Sequence, residues 1–301
     1  MSQNDDKKSP TGTCDTCTQS DCAARTQKDG ETSAEFEQRQ RLQSRLCRIG
    51  KKIVVLSGKG GVGKSTVAVN LAVSLMLAGK RTGLLDVDIH GPSVPTMLGL
   101  EGIPLQGREN EIYPVERDNL KVMSIGFLLN HPDDAVIWRG PRKMGVIRQF
   151  LSDVTWGDLD VLVVDSPPGT GDEPLSVVQL LDRVDGAIIV TTPQKVAAVD
   201  VRKSIRFCRE LDVPVLGIVE NMNGFVCPHC EKITSIFPTG STGTMARELE
   251  VPLLGSLPMD PRLARAADQG KSFVSEFASS PVAEVFADIV KKIMSSEGIH
   301  A

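Results

Sequence analysis

Two groups of residues in this 301-residue chain combine types and spacing that can do chemistry. The first is Ser57-Gly58-Lys59-Gly60-Gly61-Val62-Gly63-Lys64-Ser65-Thr66, which follows the apolar run Ile53–Leu56 and leads into a helix-like stretch through Ala78. It fits G-x-x-x-x-G-K-[ST] in register, in the strand–loop–helix setting that a phosphate-binding loop requires. Gly58, Gly60, Gly61 and Gly63 let successive backbone N–H groups, that of Val62 among them, turn inward around phosphate oxygens, and the next helix adds its positive end. Lys64 is placed to neutralise the β- and γ-phosphates, the Ser65 hydroxyl to ligate Mg²⁺, and Thr66 to bond the α-phosphate. Asp86 and Asp88 close the run Leu84-Leu85, and Val161-Leu162-Val163-Val164 runs into Asp165. Strand C-termini form the ligand crevice of an open α/β sheet, so these acids are candidates for the same site, with Asp165 holding Mg²⁺ through water. The segment Pro167-Pro168-Gly169-Thr170-Gly171-Asp172 that follows suits a switch reporting the γ-phosphate.

The second group is Cys227-Pro228-His229-Cys230. Two thiolates are too few for a zinc or iron–sulfur site, which usually takes four protein ligands. A two-fold dimer brings the same pair from each subunit to one axis and completes the set. Read from the residues alone, a shared metal site, a structural zinc clip and a redox dithiol all remain open. Three further cysteines, Cys14, Cys17 and Cys22, lie near the N-terminus, while Cys47 and Cys208 fall on helix patterns and are expected to pack.

The elements that must position these groups are visible as repeats of one unit. Apolar runs at 53–56, 83–85, 161–164, 187–190 and 215–219 are each followed by a loop and, in most cases, a helix-like segment. Continuous apolar strands of this kind are buried on both faces, which predicts an α/β fold with a mainly parallel sheet and helices on both sides. Residues 1–35 carry almost no apolar side chains besides cysteine, so they read as a flexible Cys-containing tail; residues 36–301 read as one domain. Phe36, Leu42, Leu46 and Ile49 predict a short amphipathic helix over 36–49, and 102–160 an elaboration whose fold the pattern does not reveal. Val282, Val285, Phe286, Ile289, Val290, Ile293 and Met294 form one helical stripe expected to dock on the core.

With 34 Lys and Arg against 38 Asp and Glu, the net charge of −4 argues against a globally basic nucleic-acid binder. Neither an N-terminal apolar leader nor an 18-residue apolar stretch is present, so the expectation is a cytoplasmic protein with no membrane or nucleic-acid partner.

The loop carries a second lysine, Lys59, that the bare phosphate-binding pattern does not demand. In this it resembles the deviant Walker A loop of the dimeric P-loop NTPases that include nitrogenase iron protein and the septum-site and plasmid-partition ATPases. The resemblance implies that Lys59 reaches the partner subunit's nucleotide and that Asp88 orients the attacking water. Four stretches narrow it: Asp88-Ile89-His90-Gly91-Pro92-Ser93, Val136-Ile137-Trp138-Arg139-Gly140-Pro141, Asp165–Glu173, and Glu220-Asn221-Met222 with Cys227-Pro228-His229-Cys230. Together they are similar to the Mrp-type (ApbC-like) iron–sulfur cluster carrier ATPases, from about Ile49 to the C-terminal helix. That likeness implies an ATP hydrolase in which Asn221 reads the adenine and Pro258 and Asp260, within Leu257-Pro258-Met259-Asp260, line the base pocket. It further implies that Cys227 and Cys230 of two chains hold a [4Fe–4S] cluster at a homodimer interface, for transfer to apo iron–sulfur proteins. Cys14-x-x-Cys17-x4-Cys22 resembles the N-terminal ferredoxin-like cluster motif of the longer members but departs from it in spacing and in lacking a cysteine upstream. A second cluster there needs a fourth ligand from elsewhere. The rival reading is a spatial-positioning ATPase of the MinD/ParA kind with a zinc clip. It calls for a basic amphipathic C-terminus or a basic DNA face, to which Lys291-Lys292 contributes little. An electron-donating reductase would need its cysteines differently spaced.

Overall fold

The computed structural model describes residues 26–88, 91–109, 111–129, 140–237 and 240–295. Cys14, Cys17 and Cys22, with Ile89-His90 and Val136-Ile137-Trp138-Arg139, lie outside them.

The first described helix is α1 (Ser33–Leu46), fixed at its start by a capping box: the Thr32 hydroxyl accepts from the Glu35 N–H and the Glu35 carboxylate accepts from the Thr32 N–H. The helix expected over 36–49 is therefore shifted. It ends at Leu46, and Ile49 already belongs to β1 (Ile49–Leu56), where it pairs with Leu159, because an apolar residue three places on serves a strand ladder as well as a helix face. There follow α2 (Lys64–Leu77), β2 (Thr82–Asp86) and the short α3 (Val94–Met97). The elaboration the pattern left open folds as an outlying hairpin of β3 (Gln106–Arg108) and β4 (Glu111–Tyr113), then β5 (Val115–Arg117) and β6 (Leu120–Ser124), and then α4 (Gly140–Ser152). The core unit resumes with β7 (Leu159–Asp165), α5 (Asp172–Leu180), β8 (Gly186–Thr191), α6 (Lys195–Glu210), β9 (Val215–Val226) and β10 (Ile233–Thr234). The chain closes with α7 (Ser241–Glu248), β11 (Leu253–Met259), α8 (Pro261–Asp268), α9 (Phe273–Glu276) and α10 (Pro281–Ser295).

The main sheet runs β10-β9-β8-β1-β7-β2-β6-β5, with β11 also paired to β9. All pairings are parallel except those of β5 with β6 and of β10 with β9. Alternation along each strand divides the core in two. Ile53, Val55, Val161 and Val163 pack in one layer with α2 and α10; Val54, Leu56, Leu162 and Val164 pack in the other with α1, α4 and α5. The expected doubly covered sheet is what forms.

The C-terminal stripe docks as expected. Val282, Phe286, Ile289, Val290 and Ile293 are buried against α2 and β11, with Val285 and Met294 packed at the margin. Phe286→Ala should cost about 3–5 kcal/mol in denaturant unfolding, since Phe286 is fully buried and its removal leaves a cavity. A loss under about 1 kcal/mol would mean that α10 is not part of the core.

Candidate nucleotide site and cysteine hairpin

Parallel strands align their C-terminal ends, and here that places β1, β2 and β7 side by side with Asp86 opposite Asp165 in register. The loop after β1 rises from this edge. Gly61 and Gly63 are left-handed, with φ of 77° and 78°, a conformation that only glycine adopts without strain. Gly60 and Gly61 have open space where a Cβ would project, so the mouth of the loop has room for phosphate oxygens. The other two glycines answer to the protein itself: a Cβ on Gly58 would strike Asp200 of α6, and one on Gly63 would strike the Asn221 amide. α2 starts at Lys64 with no side-chain cap, leaving the N–H groups of its first turn available to an anion.

Lys64 is nearly buried, and its ammonium donates to Asp165 Oδ1 at 2.5 Å and lies 3.3 Å from Asp88 Oδ2. Burial works against its charge, but Asp165 and Asp88 outweigh burial and its pKa is raised. Asp86 completes a group of three carboxyls around one ammonium. Burial and the neighbouring Asp165 push its pKa up to about 8. The Ser124 hydroxyl donates to Asp86 at 2.8 Å and the Asp88 backbone N–H at 3.1 Å. The second oxygen of Asp165 and the hydroxyls of Ser57, Ser166 and Thr192 are buried without a hydrogen-bond partner among the described residues. All four lie at the C-terminal ends of β1, β7 and β8, and such a concentration of unsatisfied polar atoms marks a surface built for a polar ligand. Ser65 and Thr66 follow Lys64 on the first turn of α2. Lys59 is half-buried in the loop, and unlike Lys64 it is held by no hydrogen bond or ion pair among the described residues.

Asn221 reaches the same loop from β9. Its amide donates to the Val62 carbonyl at 2.9 Å and its carbonyl accepts from the Met222 N–H. β11 pairs with β9 so that Leu257 is opposite Asn221, which brings the buried Pro258 to this edge. The Asp260 carboxylate caps α8 and forms a bidentate pair with Arg262 at 2.7 and 3.0 Å. That pairing, invisible in the spacing, holds the Asp260 pKa down against burial.

Cys227 and Cys230 sit at the tip of the hairpin joining β9 to the edge strand β10. Cys227 is half-buried and Cys230 exposed. The backbone N–H groups of His229 and Cys230 point at the Cys227 sulfur and lower its pKa, whereas burial pushes the Cys208 thiol up to about 12. No group of three or more His, Cys, Asp or Glu that could hold a metal ion exists among the described residues. Cys47, at the end of α1, is half-buried and its thiol donates to the Ser44 carbonyl. Alkylation by iodoacetamide should therefore modify Cys227 and Cys230 well before Cys208, by about 10²-fold or more in rate; equal labelling by mass spectrometry would contradict the hairpin geometry.

The family model ParA, described as "NUBPL iron-transfer P-loop NTPase", matches residues 48–294. This chain belongs to that family. The NUBPL-type NTPases are thus the frame for its site, and the expected likeness to cluster-carrier ATPases of the deviant Walker A group holds. The chain is 48% identical over 284 residues to an iron-sulfur cluster carrier protein of Methanocaldococcus jannaschii, covering 94% of this chain and 96% of that one. Among solved structures it is similar to a nucleotide-binding protein in complex with ADP from Archaeoglobus fulgidus, at 42% identity and a TM-score of 0.69, over 77% of this chain and 91% of that one. The septum site-determining protein MinD of Pyrococcus horikoshii, complexed with Mg-ADP, shares the fold at 24% identity and a TM-score of 0.63, over 83% and 98% of the two chains. As a P-loop NTPase the NUBPL-type chain is a nucleotide-binding enzyme, and none of its described helices is long and apolar enough to cross a membrane.

Sequence reasoning missed three features here. The direct Lys64–Asp165 pair joins two motifs 101 residues apart. The contact of Gly58 with Asp200 joins the loop to α6. The third is Glu220, a buried acid directly after the apolar run 215–219 of β9, whose sequence signal is that misplaced charge.

Proposed function

We propose that this chain is an ATP-dependent iron–sulfur cluster carrier that works as a homodimer, taking a [4Fe–4S] cluster as cargo on Cys227 and Cys230 of both copies and passing it to apo-proteins. The observation that carries the reading is the pair of accessible cysteines at the tip of an edge hairpin, which the described part of its own chain supplies with no further ligand. A second copy related by a two-fold axis provides the missing two thiolates. The identity to the Methanocaldococcus carrier supports the same role.

In this reading the open loop at Gly60 and Gly61 takes the phosphates, and Lys64 turns from Asp165 toward them, because a polyphosphate offers it more negative charge than two carboxylates. Ser65 and Asp165 would hold Mg²⁺, which neutralises charge on the transferring phosphoryl group. The unsatisfied oxygen of Asp165 fits that use. Asp88, released from Lys64, orients the attacking water, and Asn221 and Pro258 face the base. Cys14, Cys17 and Cys22 serve as an accessory set of thiolates, and of residues 1–35 those before the α1 cap at Thr32 form a tail that the ATPase unit does not need for folding.

Anaerobic reconstitution followed by iron, sulfide and zinc analysis per dimer tests the reading: four irons and four sulfides per dimer are expected from a single bridging [4Fe–4S] cluster. Stoichiometric zinc resistant to replacement would overturn it. Asp88→Asn should retain ATP and turn over about 10²-fold more slowly, while Asp165→Asn should lose Mg²⁺ dependence along with turnover. Parental hydrolysis by Asp88→Asn would remove it from the reaction.

A further inference from the structure

β9 is one continuous strand that touches both halves of the site, one from its middle and one from its end. Asn221, in its middle, is hydrogen-bonded to the phosphate loop through Val62, and the strand ends one residue before Cys227. Between them the ladder is broken. β9 takes four steps from Asn221 to Phe225 where its partner β11 takes two from Leu257 to Met259, so residues 222–224 bulge from the sheet. The bulge has a specific backbone: Met222 is left-handed with φ of 61° although it is not glycine, and Gly224 has φ of 91° with Ile233 of β10 where its Cβ would go.

Glu220 clasps this bulge. Its side chain is almost fully buried, and its Oε2 accepts from the Asn223 amide at 2.5 Å, across the bulge, and from the Ser256 hydroxyl of β11 at 2.9 Å. The other oxygen, Oε1, has no hydrogen-bond partner among the described residues. A buried carboxylate is expensive unless it fixes something, and removing it leaves Asn223 and Ser256 without their acceptor. What it fixes is the geometry of the short stretch of β9 between Asn221, which touches the phosphate loop, and the cysteine hairpin.

We propose that Glu220 is a positioning residue that couples the nucleotide site to Cys227 and Cys230, by locking the β9 bulge to Asn223 and Ser256 so that a shift at Asn221 is carried into the hairpin. Nucleotide that displaces Val62 or Asn221 moves one end of a stiff unit, and the thiols at its other end move with it. The proposal rests on the carrier reading for the use of the thiols, but its test does not need a cluster.

The test is the rate of iodoacetamide alkylation at Cys227 and Cys230 in the full chain, with and without a non-hydrolysable ATP analogue and Mg²⁺. Light scattering in the same samples reads protection by a second copy separately. In the parent the analogue should change the monomer's rate by about fivefold or more. Glu220→Ala should bind a fluorescent ATP analogue with affinity within a few-fold of the parent while that response collapses to about twofold or less. Glu220→Gln, which keeps an acceptor oxygen for Asn223 and Ser256, should restore the response. If Glu220→Ala does not fold, Ser256→Ala, which removes only the tie to β11, should lower the response in the same way. An unchanged response in Glu220→Ala or Ser256→Ala, or no response in the parent, overturns the proposal. Failure of iron and sulfide reconstitution in the parent would overturn the carrier reading and leave the coupling result standing.

Discussion

Lys64→Ala should lower nucleotide affinity by roughly 100-fold or more, whereas Lys59→Ala should bind normally and lose turnover by about 10³-fold. The asymmetry follows from where each ammonium is held. Lys64 is buried between Asp165 and Asp88, so its removal takes away the charge that balances them and leaves carboxylates facing the incoming phosphates. Lys59 has no such pairing among the described residues, and in the proposed homodimer it reaches the nucleotide of the second copy. A cation supplied in this way stabilises charge only as the phosphoryl group transfers, which affects rate and not affinity. Equilibrium binding of a fluorescent ATP analogue and single-turnover hydrolysis separate the two outcomes. Parental turnover in Lys59→Ala would remove the paired-nucleotide arrangement, and parental affinity in Lys64→Ala would mean that the loop does not hold phosphate.

The second large effect is expected at the hairpin. Cys227→Ala/Cys230→Ala should lose essentially all reconstituted iron and sulfide at the bridging site, because the set of four thiolates falls to none when both copies change together. Nucleotide affinity should stay within a few-fold of the parent. The cysteines lie at the tip of the β9–β10 hairpin at the edge of the sheet, and neither contributes to the buried core, so the fold has little to lose. Iron retained at parental stoichiometry in the double variant would place the cluster elsewhere, with the N-terminal cysteines as the first alternative. Complete loss of nucleotide binding would show instead that the hairpin supports the pocket.

Much of this molecule could be read from local chemistry. The phosphate loop, the acids at the ends of β2 and β7, the sheet class and the docking of α10 all depend on short-range pattern. A glycine-rich turn needs particular residues at consecutive positions, a doubly buried strand needs an unbroken apolar run, and an amphipathic helix repeats every three to four residues. Positions such as Val282, Phe286 and Ile289 therefore announced their burial. Pattern placed β9 only over 215–219, because Glu220, Asn221 and Asn223 interrupt the apolar run; the ladder with β8 and β11 nonetheless carries the strand to Val226.

What the sequence alone determined is the inventory of groups able to bind phosphate, metal and thiolate-seeking iron. Tertiary structure decided their pairings. Lys64 meets Asp165 because parallel strands align their C-terminal ends, Gly58 packs too closely on Asp200 of α6 to carry a side chain, and the Asp260 carboxylate pairs with Arg262. It also set Asp86 beside Asp165 in a buried pocket, which pushes the Asp86 pKa up, and put Glu220 under the bulge that leads to the cysteines. Such pairings join residues far apart in the chain, and their energies depend on burial and a few ångströms of separation, quantities that no local periodicity encodes.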